Sequence, residues 1–140
     1  MAVWRESSGD QCLATDDAAT PILPTTRCGF YYDDKWISPY LRVEFDLPAG
    51  APVLEFEVYN PQNEEFLDAR MLVRLGLVTL YHTEPLEIGR LTQHTIELPV
   101  LGERDLVSIS FRSSVRWRAP PPDQRALGLI LPSLFCWMAD

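Results

Sequence analysis

The sequence predicts an all-β domain: a two-sheet antiparallel β-sandwich of about eight strands in jelly-roll order. Three observations carry that prediction. Several short runs alternate apolar and polar residues with a period of two. Clusters of Gly, Pro, Asn and Asp punctuate them. No stretch of helical length keeps an amphipathic 3.6-residue period, and no internal repeat is visible.

Residues 1–26 read as an irregular arm. "DDAATPILPTT" mixes small residues, acids and prolines without a period, and leaves room only for a short edge strand near "TPIL". The sandwich is expected to span 27–140. Within it, "YYDDKW" alternates: Tyr32, Asp34 and Trp36 fall on one strand face, Tyr31, Asp33 and Lys35 on the other. One face belongs to the core. Trp36 is expected to be buried, with Tyr31 and Asp33 pointing outward.

"LRVEFDL" (41–47) places Leu41, Val43, Phe45 and Leu47 inward. "PAGAP" turns the chain, and "VLEFEVY" (53–59) turns Leu54, Phe56 and Val58 inward. The two runs are expected to be antiparallel neighbours. "NPQNEE" (60–65) is a loop. "ARMLVRLGLVTLYH" (69–82) has the apolar density of a short helix, but Gly76 and the β-branched and aromatic content favour strand with a bulge at the glycine. "PLEIGR" (85–90) and "TQHTIELPV" (92–100) read as two short strands around a glycine turn. "LVSISFR" (106–112) directs Val107, Ile109 and Phe111 to the core. "WRAPPPDQR" (117–125) is a Pro-rich excursion, because proline donates no ladder hydrogen bond. "ALGLILPSLFCW" (126–137) closes the sandwich as a buried strand bent at Pro132.

A length of 140 residues fits one domain with a core large enough to need no cross-link. The formal net charge of −8 opposes binding to nucleic acid or anionic lipid. No apolar run is long enough to span a membrane, and the N-terminus lacks the apolar centre of a signal peptide, so the chain reads as soluble and cytoplasmic. Cys12, Cys28 and Cys136 form neither a CxxC pair nor an even set. They are expected to be idle thiols; a Cys12–Cys28 bridge stays open.

Catalytic chemistry has little support. His82 and His94 belong to no metal-ligand motif, and there is no nucleophile elbow, Walker loop or dinucleotide fingerprint. Asp16–Asp17 and Asp33–Asp34 are carboxylate pairs, but two neighbouring aspartates fill little of a calcium shell. They read as turn or rim charges, and neither metal nor cofactor is expected. Asp123, following three prolines, is placed to bond back to nearby amides. Arg125 has the fork that suits a carboxylate, with Asp33 or Asp34 as partner. Gly128 would permit a close backbone approach or a bulge.

"GFYYDDKWIS", "LRVEFDLPAGAPVLEFEVYNP", "HTIELPV" and "SVRWRAPPPDQRALGLIL" follow one another, the last holding an Asp123-x-Arg125-x-Leu127-Gly128 step. Over roughly residues 28–137 this order resembles the jelly-roll-like, carbohydrate-binding-module-like domains that accompany bacterial glycosyltransferases and surface-polysaccharide proteins. The apolar surroundings of Gly76 depart from the polar turn of that pattern. The resemblance implies a non-catalytic, carbohydrate-binding-like module tied to bacterial glycan or surface-polysaccharide biosynthesis. Tyr31, Tyr32, Asp33, Trp36, Trp117 and Arg118 are then the candidate contacts; Asp34, Asp123, Arg125 and Gly128 are structural. The expected partners are a glycan, a glycosyltransferase or a second copy. The alternative is an assembly module with no sugar ligand, using its apolar "LGLVTL" and "LFCW" segments.

Overall fold

The computed structural model describes residues 20–139. Ten strands occur in it: β1 Thr26–Phe30, β2 Ile37–Leu47, β3 Ala51–Asn60, β4 Met71–Leu75, β5 Val78–His82, β6 Arg90–Glu97, β7 Asp105–Ser113, β8 Trp117–Arg118, β9 Ala126–Leu127 and β10 Ile130–Ala139. One sheet runs β1-β2-β7-β4-β5 and the other β10-β3-β6; β8 and β9 form a small separate ladder. The pairings within the two large sheets are antiparallel. The architecture is the predicted all-β sandwich, with ten strands rather than eight because two are only two residues long. No helix among the described residues is long and apolar enough to cross a membrane.

Period-two alternation explains the sheet faces. Leu41, Val43, Phe45 and Leu47 of β2, Leu54, Phe56 and Val58 of β3, and Val107, Ile109 and Phe111 of β7 all enter the core. Phe56 of one sheet meets Phe111 of the other edge-on, with ring centroids 5.2 Å apart. Each such side chain contributes about 1.5–3 kcal/mol on burial, so the inter-sheet layer dominates the stability.

The structure corrects several sequence expectations. β2 and β3 are not neighbours: β2 pairs with β1 and β7, and β3 with β6 and β10. Residues 48–50 therefore carry the chain from one sheet to the other. Both runs bury the same face pattern, and alternation alone does not say which sheet supplies the partner. Gly76 sits not in a bulge but in the two-residue turn between β4 and β5, at φ +59°, a left-handed conformation that glycine adopts freely. The register irregularity falls between Val73 and Arg74 instead. Residues 85–89 form no strand; β6 begins at Arg90. The last segment divides into β9 and β10, with the register shift between Ile130 and Ser133, around Pro132.

Before β1, Ile22 forms an isolated bridge with Cys136 on the outer edge of β10, its N–H donating to the Cys136 carbonyl at 2.7 Å. Cys136 is buried and Cys28 is exposed, both as free thiols. Cys12 and the Asp16–Asp17 pair lie outside the described residues.

Candidate ligand-binding cleft

The segment between β1 and β2 is a turn, not a continuous strand. Lys35 N–H donates to the Tyr31 carbonyl at 2.8 Å, and Tyr31 N–H donates to the Trp36 carbonyl at 2.9 Å. Lys35 takes φ +66°, and Asp34 Oδ1 accepts from Trp36 N–H at 3.3 Å. The expected two-face division of Tyr31–Trp36 is thereby overturned. Asp-Asp before Lys is ordinary turn chemistry, and it interrupts the alternation that aromatic and acidic residues imitate. Tyr31 is half-buried, Tyr32 and Asp33 are exposed, and Trp36 is half-buried against the core rather than fully enclosed.

The second wall comes from the Pro-rich excursion. Ala119 N–H donates to the Arg125 carbonyl at 2.8 Å and Asp123 N–H to the Pro120 carbonyl at 3.1 Å, closing a compact loop between β8 and β9. Arg118 Nη1 donates to the Gln124 carbonyl at 2.6 Å and so ties the loop together. Gly128, just beyond, lets the chain run close to its neighbours: a Cβ there would lie 2.9 Å from Ser113 Cβ and 3.0 Å from the Ser38 carbonyl oxygen.

Arg125 joins the two walls. Its Nε donates to Asp123 Oδ1 at 2.6 Å and its Nη2 to Asp123 Oδ2 at 2.9 Å. The same Nη2 reaches Asp34 Oδ2 at 2.8 Å. The guanidinium carbon also stands 4.5 Å from the Tyr31 ring centroid, a cation–π distance. Hydrogen bonds from Arg125 hold the carboxyls of Asp34 and Asp123 below their ordinary value, and the two carboxylates raise the guanidinium. Arg125 is therefore a fixed cation with a fixed plane.

These groups border an open cleft of about 530 Å³, lined by Phe30 and residues 31–34 of the β1–β2 turn together with Asp123 and Arg125. Phe30 meets Tyr32 edge-on at 4.9 Å, and the Arg27 guanidinium lies 4.7 Å from the Phe30 ring centroid. Phe30 had no sequence signal as a site residue; as the last residue of β1, it reads only as core. Tyr31, Tyr32 and Asp33 line the cleft, whereas Trp36, Trp117 and Arg118 do not. Trp36 and Trp117 instead pack on one another at 6.1 Å and on the fully buried Phe66 at 5.7 and 5.9 Å. Phe66 lies in a 3-10 turn, Glu64–Phe66, capped by Asn63, whose Oδ1 accepts from Glu65 N–H at 2.9 Å. An apolar ring in an otherwise polar loop was the available signal for this anchor.

Among the described residues, no three His, Cys, Asp or Glu side chains gather as a group able to hold a metal ion. His94 is half-buried and stacks on Phe56 at 5.2 Å, with Tyr81 Oη 3.1 Å from Nδ1 and Thr92 Oγ1 2.8 Å from Nε2. Burial pushes its imidazole below the ordinary value. His82 is exposed on β5.

No protein-family model matches the chain, and no curated protein matches it by sequence. Among solved structures, it is similar to a carbohydrate-binding module of Cellvibrio mixtus lichenase 5A, in complex with cellotriose. That similarity has 12% identity and a TM-score of 0.44, covering 86% of this chain and 98% of that one. It is also similar to the C-terminal CBM6 of LamC, a marine laminarinase from Zobellia galactanivorans. There the identity is 8% and the TM-score 0.41, over 86% and 95% of the two chains.

Proposed function

We propose that this domain is a non-catalytic, carbohydrate-binding-like module whose ligand lies in the cleft lined by Tyr31–Asp33 and Arg125. One observation carries the reading. An arginine locked between two carboxylates and stacked on a tyrosine borders an open cleft that a second, exposed tyrosine, Tyr32, also lines. Sugars present C–H faces to aromatic rings and hydroxyls to fixed charged groups, and pockets that combine ring walls with few placed polar atoms suit them. Because Asp34 and Asp123 already hold Arg125, little order must be gained when a ligand arrives. The sequence resemblance to modules of bacterial glycan and surface-polysaccharide biosynthesis supports the same class, with a glycosyltransferase as the associated enzyme.

The test is a titration of the chain with a panel of neutral and acidic oligosaccharides, read by calorimetry. Millimolar or tighter binding that weakens at least tenfold in Tyr32→Ala is expected. No heat from any sugar at millimolar concentration would reject the reading.

A second reading, self-association, is favoured by one observation. Leu77 is 90% and Val78 62% exposed at the β4–β5 turn. They stand beside an apolar cleft of about 330 Å³ bordered by Leu75, Leu98, Leu101 and Leu106. Of the other segment proposed for contacts, Leu134 and Cys136 are buried. Light scattering over a range of concentrations tests this reading, with a dimer lost in Leu77→Ser as the expected result and a monomer throughout as the contrary one.

A further inference from the structure

The outer face of the five-stranded sheet carries a cluster that the cleft does not use. Cross-strand partners share a face, and Leu72 of β4 lies opposite Arg112 of β7 on one side and His82 of β5 on the other. Arg70, two positions before Leu72, falls on the same face. Its N–H donates to Ser114 Oγ at 2.8 Å, and Ser114 N–H donates back to the Arg70 carbonyl at 2.9 Å. Arg70, His82, Arg112 and Ser114 thus surround the Leu72 side chain. They border a small cleft of about 170 Å³, and none of its lining residues is acidic.

That composition is unexpected on a chain with 20 acidic and 12 basic residues. Arg112 and His82 flank Leu72 from its two neighbouring strands and Arg70 precedes it, so two guanidinium groups and an imidazole border one cleft that no carboxylate lines. The face has a defined extent. Arg112 lies 5.4 Å from the Tyr40 ring centroid, Arg42 follows in the next row opposite Ser110, and Glu44 ends the basic strip one row further. Arg74 is turned away, donating to the Leu77 carbonyl at 3.1 Å.

We propose that the Arg70–His82–Arg112 cleft is an oxyanion site that takes a phosphate group, as the free ion or as a phosphomonoester. Two guanidinium forks and an imidazole line it, from β7, β5 and the residue just before β4. Ser114 Oγ already accepts a backbone N–H, which leaves its own proton to donate outward. A tetrahedral phosphate offers lone pairs toward all of these donors, whereas a planar carboxylate satisfies them from one edge only. The leucine floor excludes water from one side and strengthens the charge-assisted bonds.

The experiment is an NMR titration of the 140-residue chain with inorganic phosphate at constant pH and ionic strength, against sodium chloride. Shifts confined to residues 70–72, 82 and 112–114 are expected. Arg70→Gln and Arg112→Gln should each weaken binding about tenfold or more. Arg90→Gln, in the exposed pair with Glu87, should leave it unchanged. A hexose 1-phosphate binding more tightly than inorganic phosphate assigns the group to a phosphomonoester; equal binding assigns it to the free ion. Acetate matching phosphate, shifts scattered over the surface, or unchanged affinity in both arginine variants would overturn the proposal.

Discussion

Arg125 and Asp34 stand 91 positions apart in the chain, and their Nη2 and Oδ2 atoms meet at 2.8 Å. This contact fastens the β8–β9 loop to the β1–β2 turn. Both side chains are partly exposed, so solvent screening limits the pair to about 1 kcal/mol. A double-mutant cycle on Arg125→Ala and Asp34→Ala, read by urea unfolding, should return a coupling of that order. Strictly additive losses would show that the contact contributes nothing. The carboxyl of Asp34 lies below its ordinary 3.8 in the folded state. Its contribution is therefore complete above that value and lost as pH falls through the folded value. Asp34→Asn should flatten this acid limb.

His94 gives a second pH dependence, in a different window. Burial holds its imidazole below the ordinary 6.5, so the unfolded chain binds the proton more readily than the folded one. Stability should fall as pH drops below about 6.5 and level off beneath the folded value. His94→Gln should remove this step in chemical unfolding measured between pH 7.5 and 5; a step of unchanged size would assign it elsewhere.

Phe66 should be the costliest of the aromatic anchors. It is fully buried beneath Trp36 and Trp117, and Phe66→Ala should destabilise by about 3–5 kcal/mol through the cavity it leaves. The near-ultraviolet circular dichroism of the two tryptophans should change with it. An unaltered spectrum would contradict the packing described.

Gly128→Ala would push a methyl group against Ser113 Cβ and the Ser38 carbonyl oxygen. A loss of about 1–3 kcal/mol is expected in thermal or urea unfolding. The Pro39 Cα, 3.2 Å from the same Cβ position, narrows the space further. Unchanged stability in Gly128→Ala would contradict the close approach described.

The two described thiols should differ sharply in reactivity. Burial pushes Cys136 up to about 12, whereas Cys28 is exposed on β1. Mass mapping after iodoacetamide at pH 8 should find Cys28 labelled in the native protein and Cys136 labelled only after denaturation. Native labelling of Cys136 at a comparable rate would contradict its burial.

Part of the site is legible in the sequence. Turn chemistry at Asp123, the carboxylate-matching fork of Arg125 and the backbone economy of Gly128 all follow from residue type. The choice of Asp34 rather than Asp33 as the arginine's partner does not, since the two are adjacent and chemically alike. Tyr31–Trp36 imitates a strand, because its alternating rings and acids mimic a period of two. The left-handed Lys35 carries no sequence signal that would correct this reading. The anionic-ligand face was also invisible in the sequence: Arg70, His82 and Arg112 are scattered along the chain and meet only through strand pairing.

The sequence by itself determined the class of fold and the alternating core residues within β2, β3 and β7, though not Ile37 or Val53, which are buried as well. Burial of one strand face is a local property, written in every second residue. Tertiary structure alone decided which strands pair, that residues 48–50 cross between sheets, and that Trp36 and Trp117 anchor the loops instead of lining the cleft. Those outcomes depend on contacts between distant segments, which compete with one another across the whole chain, and no single stretch carries the information that settles the competition.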